Sequence, residues 1–378
     1  MAGLNHGSHM MTLLVPTRNR PAFIRRLLTY YQSLRFDGVV QIADASEGEA
    51  AIRTREAAED FASQLAVRYH ALPGQRADAC WRQLNALITT PYVTFMGDDD
   101  FLVPEGLARC VEFLQRHPDY HAAHGRAVRF TVRGDRAHGE VTGVSPYSGL
   151  RSLEGGSAHT RLLAHLRAYS VALFSVHRTA SWQRMWKGTT DEMDPLFATE
   201  LLPCALSSVL GRIGCVDELY LLRQIHGQRY QHPRLFDWLL QPTWRESCLA
   251  MIDDLARALA QQDRLAFEEA RGISKQALWL YLITQGQNAQ RTSRKLIQIR
   301  EMARHMPAIR RLWRLAQAWG PGGGRRLSLT ALLRRSSIYH AAFMPVYRVL
   351  TASAEVEAGT AALTGVRSTA LIGAGVDQ

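Results

Sequence analysis

The chain alternates short apolar runs with amphipathic stretches over its first 116 residues. Thr12–Pro16 is an apolar run closed by Pro-Thr-Arg-Asn-Arg-Pro, which predicts a strand ending in a loop. Pro21 suits a first helical turn, and Phe23, Ile24, Leu27, Leu28 and Tyr31 follow at helical spacing. Val39–Ala43 reads as a second strand ended by Asp44-Ala-Ser46, Ala51–Gln64 as a helix and Ala66–Ala71 as a third strand. Ala77–Thr89 is helical, with Cys80, Leu84, Leu87 and Ile88 on one face. Tyr92–Met96 is a fourth strand that runs straight into Gly97-Asp98-Asp99-Asp100, and Pro104–Arg116 is the next helix. This alternation predicts an α/β domain with a mostly parallel sheet, in which ligands bind beyond the carboxyl ends of the strands. Arg18–Arg20, Asp44–Ser46 and Asp98–Asp100 all fall at those ends.

After Arg126 the pattern changes. Val128–Val132 and His138–Val144 read as a hairpin, followed by a helix over 158–168, a strand at Val171–Val176 and a helix from Arg178 to Trp186. A longer helix is expected over Pro195–Leu210, and a strand at Cys215–Leu222 leads into Arg223-Gln-Ile-His226. From Phe236 onward the pattern is helical. Thr351–Gln378, rich in Ala, Gly, Thr and Ser, is expected to be a mobile tail, and the first ten residues read as an expression-tag remnant. The expected division is a catalytic domain at 11–230, a basic helical domain at 231–348 and a tail at 349–378. No apolar stretch reaches 18 residues, so no membrane-spanning helix is expected. Five scattered cysteines without a C-x-x-C argue against a disulfide framework or zinc site and fit a reducing cytosol.

Charge changes this picture. The net charge is +11, but residues 287–348 hold 13 Arg and Lys against one acid, Glu301, so the rest of the chain is close to neutral. Within that segment Arg310, Arg311 and Arg314 interleave with Leu312, Trp313, Leu315 and Trp319. A basic helix with Trp and Leu on its other face suits an anionic membrane surface; a solvated helix face packed on the body is the plainer alternative. The aromatic residues form one stripe rather than stacking platforms, so nucleic acid is not an expected partner.

Three consecutive aspartates after a buried strand repel one another unless something neutralises them. Mg²⁺ or Mn²⁺ does this by taking one or two carboxylates and completing its shell with water and substrate phosphates, and Asp98 and Asp100 are spaced to share such an ion. An Asp-rich turn capping the helix at Pro104 would need one acid, not three. Asp44 with Ser46 suits hydrogen bonds from a nucleobase or ribose, or an ordinary turn. Arg18 and Arg20 suit phosphates. Asp191, Glu192, Asp194 and Glu200 cluster at the head of a helix, where acids are favoured in any case, yet one facing a cleft can act as a general base. His226 is a candidate metal or phosphate ligand.

The order strand–Pro16-Thr17-Arg18-Asn19-Arg20, then Asp44-Ala-Ser46, then Gly97-Asp98-Asp99-Asp100 resembles the nucleotide-sugar-binding half of GT-A fold glycosyltransferases, in particular family 2. Asp191-Glu192, followed eight residues on by Glu200 and eleven further by Gly211, resembles the acceptor-side segment of that family, with Thr199-Glu200 where an acid pair is usual. Arg223-Gln-Ile-His226 resembles its closing Arg-x-His with one residue inserted. The resemblance covers about residues 11–230. It implies a Rossmann-like GT-A domain, here with an added C-terminal helical region. It also implies a metal-dependent, inverting transfer of sugar from a nucleoside diphosphate to a glycan, lipid-linked or other hydroxyl acceptor.

In the implied site, Pro16, Thr17, Arg18, Asn19, Arg20, Asp44, Ser46, Arg76, Asn85, Asp98 and Asp99 bind the donor. Asp98, Asp100 and His226 hold Mn²⁺ or Mg²⁺. Glu200 is the base, with Asp191 in reserve. The implied setting is bacterial surface-polysaccharide synthesis on the cytoplasmic side, peripheral to the membrane. The competing expectations are a nucleotidyltransferase, which usually has a Gly-rich loop and Lys after the first strand, and an inactive membrane-associated scaffold, which has no reason to keep costly acid clusters.

Overall fold

A nine-stranded mixed sheet organises the protein in the computed structural model, which describes residues 9–227, 233–305 and 327–352. Its first half is built of parallel units: β1 (Met11–Thr17), α1 (Pro21–Ser33), β2 (Val39–Asp44), α2 (Gly48–Phe61), β3 (Ala66–Ala71), α3 (Ala77–Ala86) and β4 (Tyr92–Phe95). β1 and β2 are buried along nearly their whole length, as a strand covered by helices on both faces must be. The second half comprises β5 (Phe101–Leu102), α4 (Pro104–Arg116), β6 (Tyr120–Val132), β7 (Val141–Pro146), α5 (Ala158–Arg167), β8 (Val176–Arg178), α6 (Thr179–Met185), α7 (Leu202–Leu210) and β9 (Arg212–Gln224).

The strand order is β3-β2-β1-β4-β8-β6-β9-β5, with β7 paired on β6. β1 runs parallel to β2 and β4, whereas β8 is antiparallel to both β4 and β6. Two reversals restore the direction, so β6, and β9 parallel to it, point the same way as β4. The carboxyl ends of β1, β2, β4 and β9 therefore share one edge, although more than a hundred residues separate β4 from the end of β9.

Two expected elements differ in detail. The apolar run at Val171–Val176 is mostly a tight 3₁₀ turn, Ala172–Phe174, ahead of the short β8. The carbonyl of Phe174 is satisfied by the Tyr220 hydroxyl at 2.6 Å instead of by a ladder bond, which lets the segment stay buried without being a strand. The helix expected over Pro195–Leu210 starts with a wide π turn, Phe197–Leu201, before α7. Pro203 has no N–H to donate into the preceding turn, and a widened turn accommodates that loss.

α8 (Leu235–Leu239), α9 (Trp244–Asp263) and α10 (Phe267–His305) complete the described C-terminal helices, with Leu329–Leu332 and residues 340–352 beyond them. Trp238, Met251, Leu255, Leu259, Ala277 and Tyr281 from α8–α10 share one core with Leu162, Leu166, Trp182 and Phe197. Leu332, Phe343, Val346 and Leu350 join the other core, against the sheet. The helices after residue 230 are thus packed into the same body as the strands. The Trp-rich basic stretch 310–319 and the residues after 352 lie outside the described residues. No described helix is long and apolar enough to cross a membrane.

Because the two segments share a core, calorimetry should resolve one unfolding transition for the whole chain. Trp238→Ala should destabilise that transition by about 3–5 kcal/mol. A separate early transition, with the rest of the melt unmoved, would mean that α8–α10 fold independently.

Candidate active site

The acid loop begins where β4 stops. Met96 N–H still donates to Leu14 carbonyl at 3.1 Å, and the chain then turns, with Asp100 N–H donating to Gly97 carbonyl at 3.2 Å. A Cβ at residue 97 would stand 2.5 Å from Asp99 Oδ1, so a larger residue there would displace that carboxylate. The loop holds three carboxylates with Asp98 only 3% and Asp100 1% exposed.

Each acid meets a base or a donor from another strand end. Asp98 accepts from Thr17 Oγ1 at 2.7 Å and from Arg20 Nη1 at 2.9 Å. Asp99 Oδ2 lies 2.8 Å from His226 Nε2 and 3.4 Å from Arg20 Nη1. Asp100 accepts from the Gln224 N–H at 3.0 Å and from Arg223 Nε at 3.2 Å. Arg223 in turn lies over the Phe174 ring at 4.3 Å, and the His226 ring stacks on Phe23 at 5.5 Å. Charge-assisted bonds of this kind are what keep several buried carboxylates tolerable.

Neutralisation is incomplete. Burial first, and the neighbouring Asp99 charge second, push the Asp98 carboxyl up to about 6. Burial, only partly offset by Arg223, pushes Asp100 up to about 7. Burial acts the same way on Asp99, but the His226 hydrogen bond and the Arg20 charge outweigh it and hold that carboxyl below its ordinary value.

Below the loop lies Arg26, fully buried on α1. Its guanidinium donates to the Asp99 carbonyl at 2.7 Å, the Ala137 carbonyl at 2.7 Å and Gln224 Oε1 at 2.6 Å, and is stacked between Phe23 and Phe101. One side chain thus ties the acid loop to the β6–β7 connection and to the end of β9. Burial lowers its pKa to about 10 against the pull of the aspartates, so it stays charged.

A second set of groups sits at the ends of β1 and β2. Asp44 Oδ1 accepts from the Ser46 N–H at 2.9 Å and Oδ2 accepts from the Tyr69 hydroxyl at 2.8 Å. Asn19, with a left-handed φ of 58°, donates its N–H to Ser46 Oγ at 2.6 Å, which joins the β1 loop to the β2 loop. Pro16 pairs with Ala43 in the ladder, and Arg18 is exposed in the loop.

The remaining candidates lie elsewhere. Glu200 sits in the π turn, where Oε1 accepts from the Tyr169 hydroxyl at 3.0 Å. Tyr169 packs edge-on against Tyr281 of α10, ring centres 5.1 Å apart. From Tyr169 to Phe174 the chain spans five residues, at most about 17 Å when extended, so the Glu200 and Arg223 neighbourhoods flank one short segment. Asp191 is exposed and paired with Arg82. Arg76 donates to the Asp191 and Met193 carbonyls at 3.2 and 3.1 Å. Asn85 Oδ1 accepts from the Trp182 indole, joining α3 to α6. Asp194 also serves packing, accepting from the Trp238 indole at 2.8 Å.

Sequence reasoning did not single out Arg26, Tyr69 or Tyr169. Arg26 left a signal, since it falls three residues after Phe23 on the apolar face of α1. Tyr69 and Tyr169 left none.

In kind, Asp98, Asp100 and His226 suit a hard divalent cation. His226 Nδ1 is buried without a hydrogen-bond partner, and burial raises Asp98 and Asp100 above their ordinary values despite Arg20 and Arg223. Against the expectation that these three share an ion, Asp98 turns to Thr17 and Arg20 while Asp100 turns to Arg223 and Gln224. Among the described residues no three potential ligands converge on one point.

Comparison with known proteins follows the same lines. Residues 12–177 match the model of the family described as Glycosyl transferase family 2. No curated protein matches the sequence. Among solved structures, the chain is similar to S. aureus TarS 1–349 in complex with UDP-GlcNAc, at 14% identity over 74% of this chain and 91% of that one, with a TM-score of 0.41. It is also similar to the mannosyltransferase PcManGT from Pyrobaculum calidifontis in complex with GDP-Man and Mn²⁺, at 13% identity over 83% of this chain and 85% of that one, with a TM-score of 0.39. By the family match over residues 12–177, the protein is a glycosyltransferase of the GT-A fold.

Proposed function

We propose that the protein moves a sugar from a nucleoside-diphosphate sugar to an acceptor hydroxyl with inversion at the anomeric carbon. The observation that carries this reading is the interlocked cluster of Thr17, Arg20, Asp98, Asp99, Asp100, Arg223 and His226 at one edge of the sheet. The nucleobase or ribose lies at the ends of β1 and β2, with Asp44 and Ser46 accepting from it. Arg20 and Arg223 turn from their aspartates to the diphosphate, where two guanidinium groups match phosphate oxygens well. When bound by Asp98, Asp100 and His226, Mn²⁺ or Mg²⁺ adds positive charge at the leaving diphosphate.

Glu200, oriented by Tyr169, takes the acceptor hydroxyl proton. The acceptor oxygen bonds to the anomeric carbon from the face opposite the diphosphate, and the breaking carbon–oxygen bond leaves its electron pair on the diphosphate. The acceptor is a glycan or lipid-linked hydroxyl of bacterial surface-polysaccharide synthesis. The basic segment 287–348 favours a site of action at the cytoplasmic face of an anionic membrane.

Thermal unfolding with UDP, GDP, CMP or dTDP, with and without Mn²⁺, tests the donor site. One nucleotide should stabilise the protein in a cation-dependent way, by about 2.7 kcal/mol at a hundred times its dissociation constant. Asp98→Ala/Asp100→Ala should abolish the effect. Stabilisation by none of the four, or by a monophosphate without metal, overturns this assignment of the acids.

Glu200→Gln should lower kcat roughly 10²–10⁴-fold while leaving the nucleotide shift intact. Asp191→Asn should stay within a few-fold of wild type. The reverse ranking would make Asp191 the base.

The pH dependence has a definite sign. Asp98 and Asp100 titrate near 6 and 7 when folded, above their ordinary 3.8, so ionising them costs the cation-free fold stability between about pH 4 and 7. Buried His121, His165 and His177, held down by burial, act oppositely over the acidic part of that range. Relative to Asp98→Asn/Asp100→Asn, the wild type should therefore lose stability as pH rises to 7, and its gain from Mn²⁺ should grow over the same interval. A gain from Mn²⁺ that is flat with pH counts against these ligands.

A further inference from the structure

A chain of aromatic rings runs between the acid loop and the π turn of Glu200. The ring centre of Trp81 on α3 lies 4.6 Å from that of Phe95. Phe95 in turn lies 5.4 Å from Phe174, the ring over which Arg223 sits. Phe95 ends β4 three residues before Asp98, a span of at most about 10 Å even when extended. At the other end, α3 packs against the π turn that carries Glu200. Arg82, next to Trp81, pairs with Asp191, and Arg76 donates to the Asp191 and Met193 carbonyls. The helix is thus held to the segment that leads into that turn.

Two of these rings keep surface free. Phe174 is buried, as is Trp186, which meets Trp81 edge-on at 5.1 Å, whereas Trp81 and Phe95 remain partly exposed. The Trp81 N–H is buried with no acceptor among the described residues, although the indoles of Trp182 and Trp238 each have one. A buried indole normally finds a partner, and no protein group fixes the polar edge of this one. A pyranose carries carbon-bound hydrogens on its faces and hydroxyls around its edge. Those hydrogens suit the negative face of an aromatic ring and leave the edge hydroxyls free to react. An open-chain polyol has no such face.

We infer that Trp81, with Phe95 beside it, is a specificity-determining residue that receives the pyranose ring of the acceptor. The acceptor is then a pyranoside rather than a polyol phosphate. This rests on the proposed transfer with Glu200 as base and names the class of its acceptor. The two ends of the aromatic chain divide the work. Phe174 and Arg223 lie on the side of the leaving diphosphate, and Trp81 lies on the side of the carboxylate that takes the acceptor's proton.

Saturation-transfer NMR on the full chain tests this, with Mn²⁺ and UDP, GDP, CMP or dTDP present. The probes are the methyl glycosides of glucose, galactose, mannose and N-acetylglucosamine, against ribitol and glycerol phosphate. At least one glycoside should bind, with transfer strongest to its carbon-bound ring protons, and the two polyol probes should not. Trp81→Leu keeps an apolar side chain in the cluster without an aromatic face, and should weaken that glycoside about tenfold or more. Trp81→Phe should stay within about threefold of wild type. Phe95→Leu should also weaken it, and carries the test if Trp81→Leu does not fold.

Binding of no glycoside, undiminished binding by the Leu variants, or polyols that bind as well as glycosides overturns the inference. So does a Trp81→Leu protein that keeps its glycoside but loses the extra stabilisation UDP-glucose or GDP-mannose gives over UDP or GDP. That result puts the donor sugar on the ring instead. Nucleotide-induced stabilisation is read on the same samples, and its retention in the variants certifies their fold. Its absence in wild type removes the proposed donor site and leaves a glycoside lost with Trp81 standing.

Discussion

Everything at this protein's working edge depends on placing three consecutive aspartates where water is scarce. Repulsion among like charges in a buried loop is large, and the fold meets it with partners drawn from distant elements: the guanidinium groups of Arg20 from the β1 loop, Arg223 from the end of β9 and Arg26 from beneath, and the imidazole of His226 just after β9. The strand order follows the same requirement. Only because β8 is inserted antiparallel between β4 and β6 does β9 arrive pointing the right way to deliver its basic end. The cluster is poised: its acids are satisfied well enough to fold, yet two of them sit at pKa values that favour more positive charge nearby.

The C-terminal helices belong to this economy of positions. Tyr281 backs Tyr169, and the Tyr169 hydroxyl bonds to Glu200, so a helix from beyond the strand pattern braces that carboxylate. The π turn that carries Glu200 has its own local cause in Pro203. Its widened backbone sets that carboxylate apart from the regular helix that follows.

Much of this was legible in the residues. Apolar runs and helical spacing located β1 to β4 and α1 to α4 within a few residues, because strands buried on both faces and helices buried on one carry strong periodic signals. The polar clusters at strand ends were legible for the same reason: they interrupt that pattern. Other features are set by tertiary contact. The turn at Ala172–Phe174 is held by the hydroxyl of Tyr220, forty-six residues away, and no local pattern encodes it. The pairing of Asp98 with Arg20 and of Asp100 with Arg223, in place of a shared ion, depends on side-chain directions that spacing does not give. Asn85 and Asp194 looked like site residues in sequence, but buried indoles claim their carboxamide and carboxylate oxygens.

Arg26 bears on how the molecule is made. Its three partners lie 73, 111 and 198 residues further along the chain. As the chain emerges from the ribosome, α1 and the acid loop are present long before β9. Through that interval a guanidinium destined for full burial lacks its last acceptor, and Asp100 lacks both of its partners. The stretch that matches the family, residues 12–177, is therefore an unfinished object by itself. Until translation supplies β9, the acid loop lacks Arg223 and the Gln224 N–H, so burial of Asp100 with its partners in place waits for that strand.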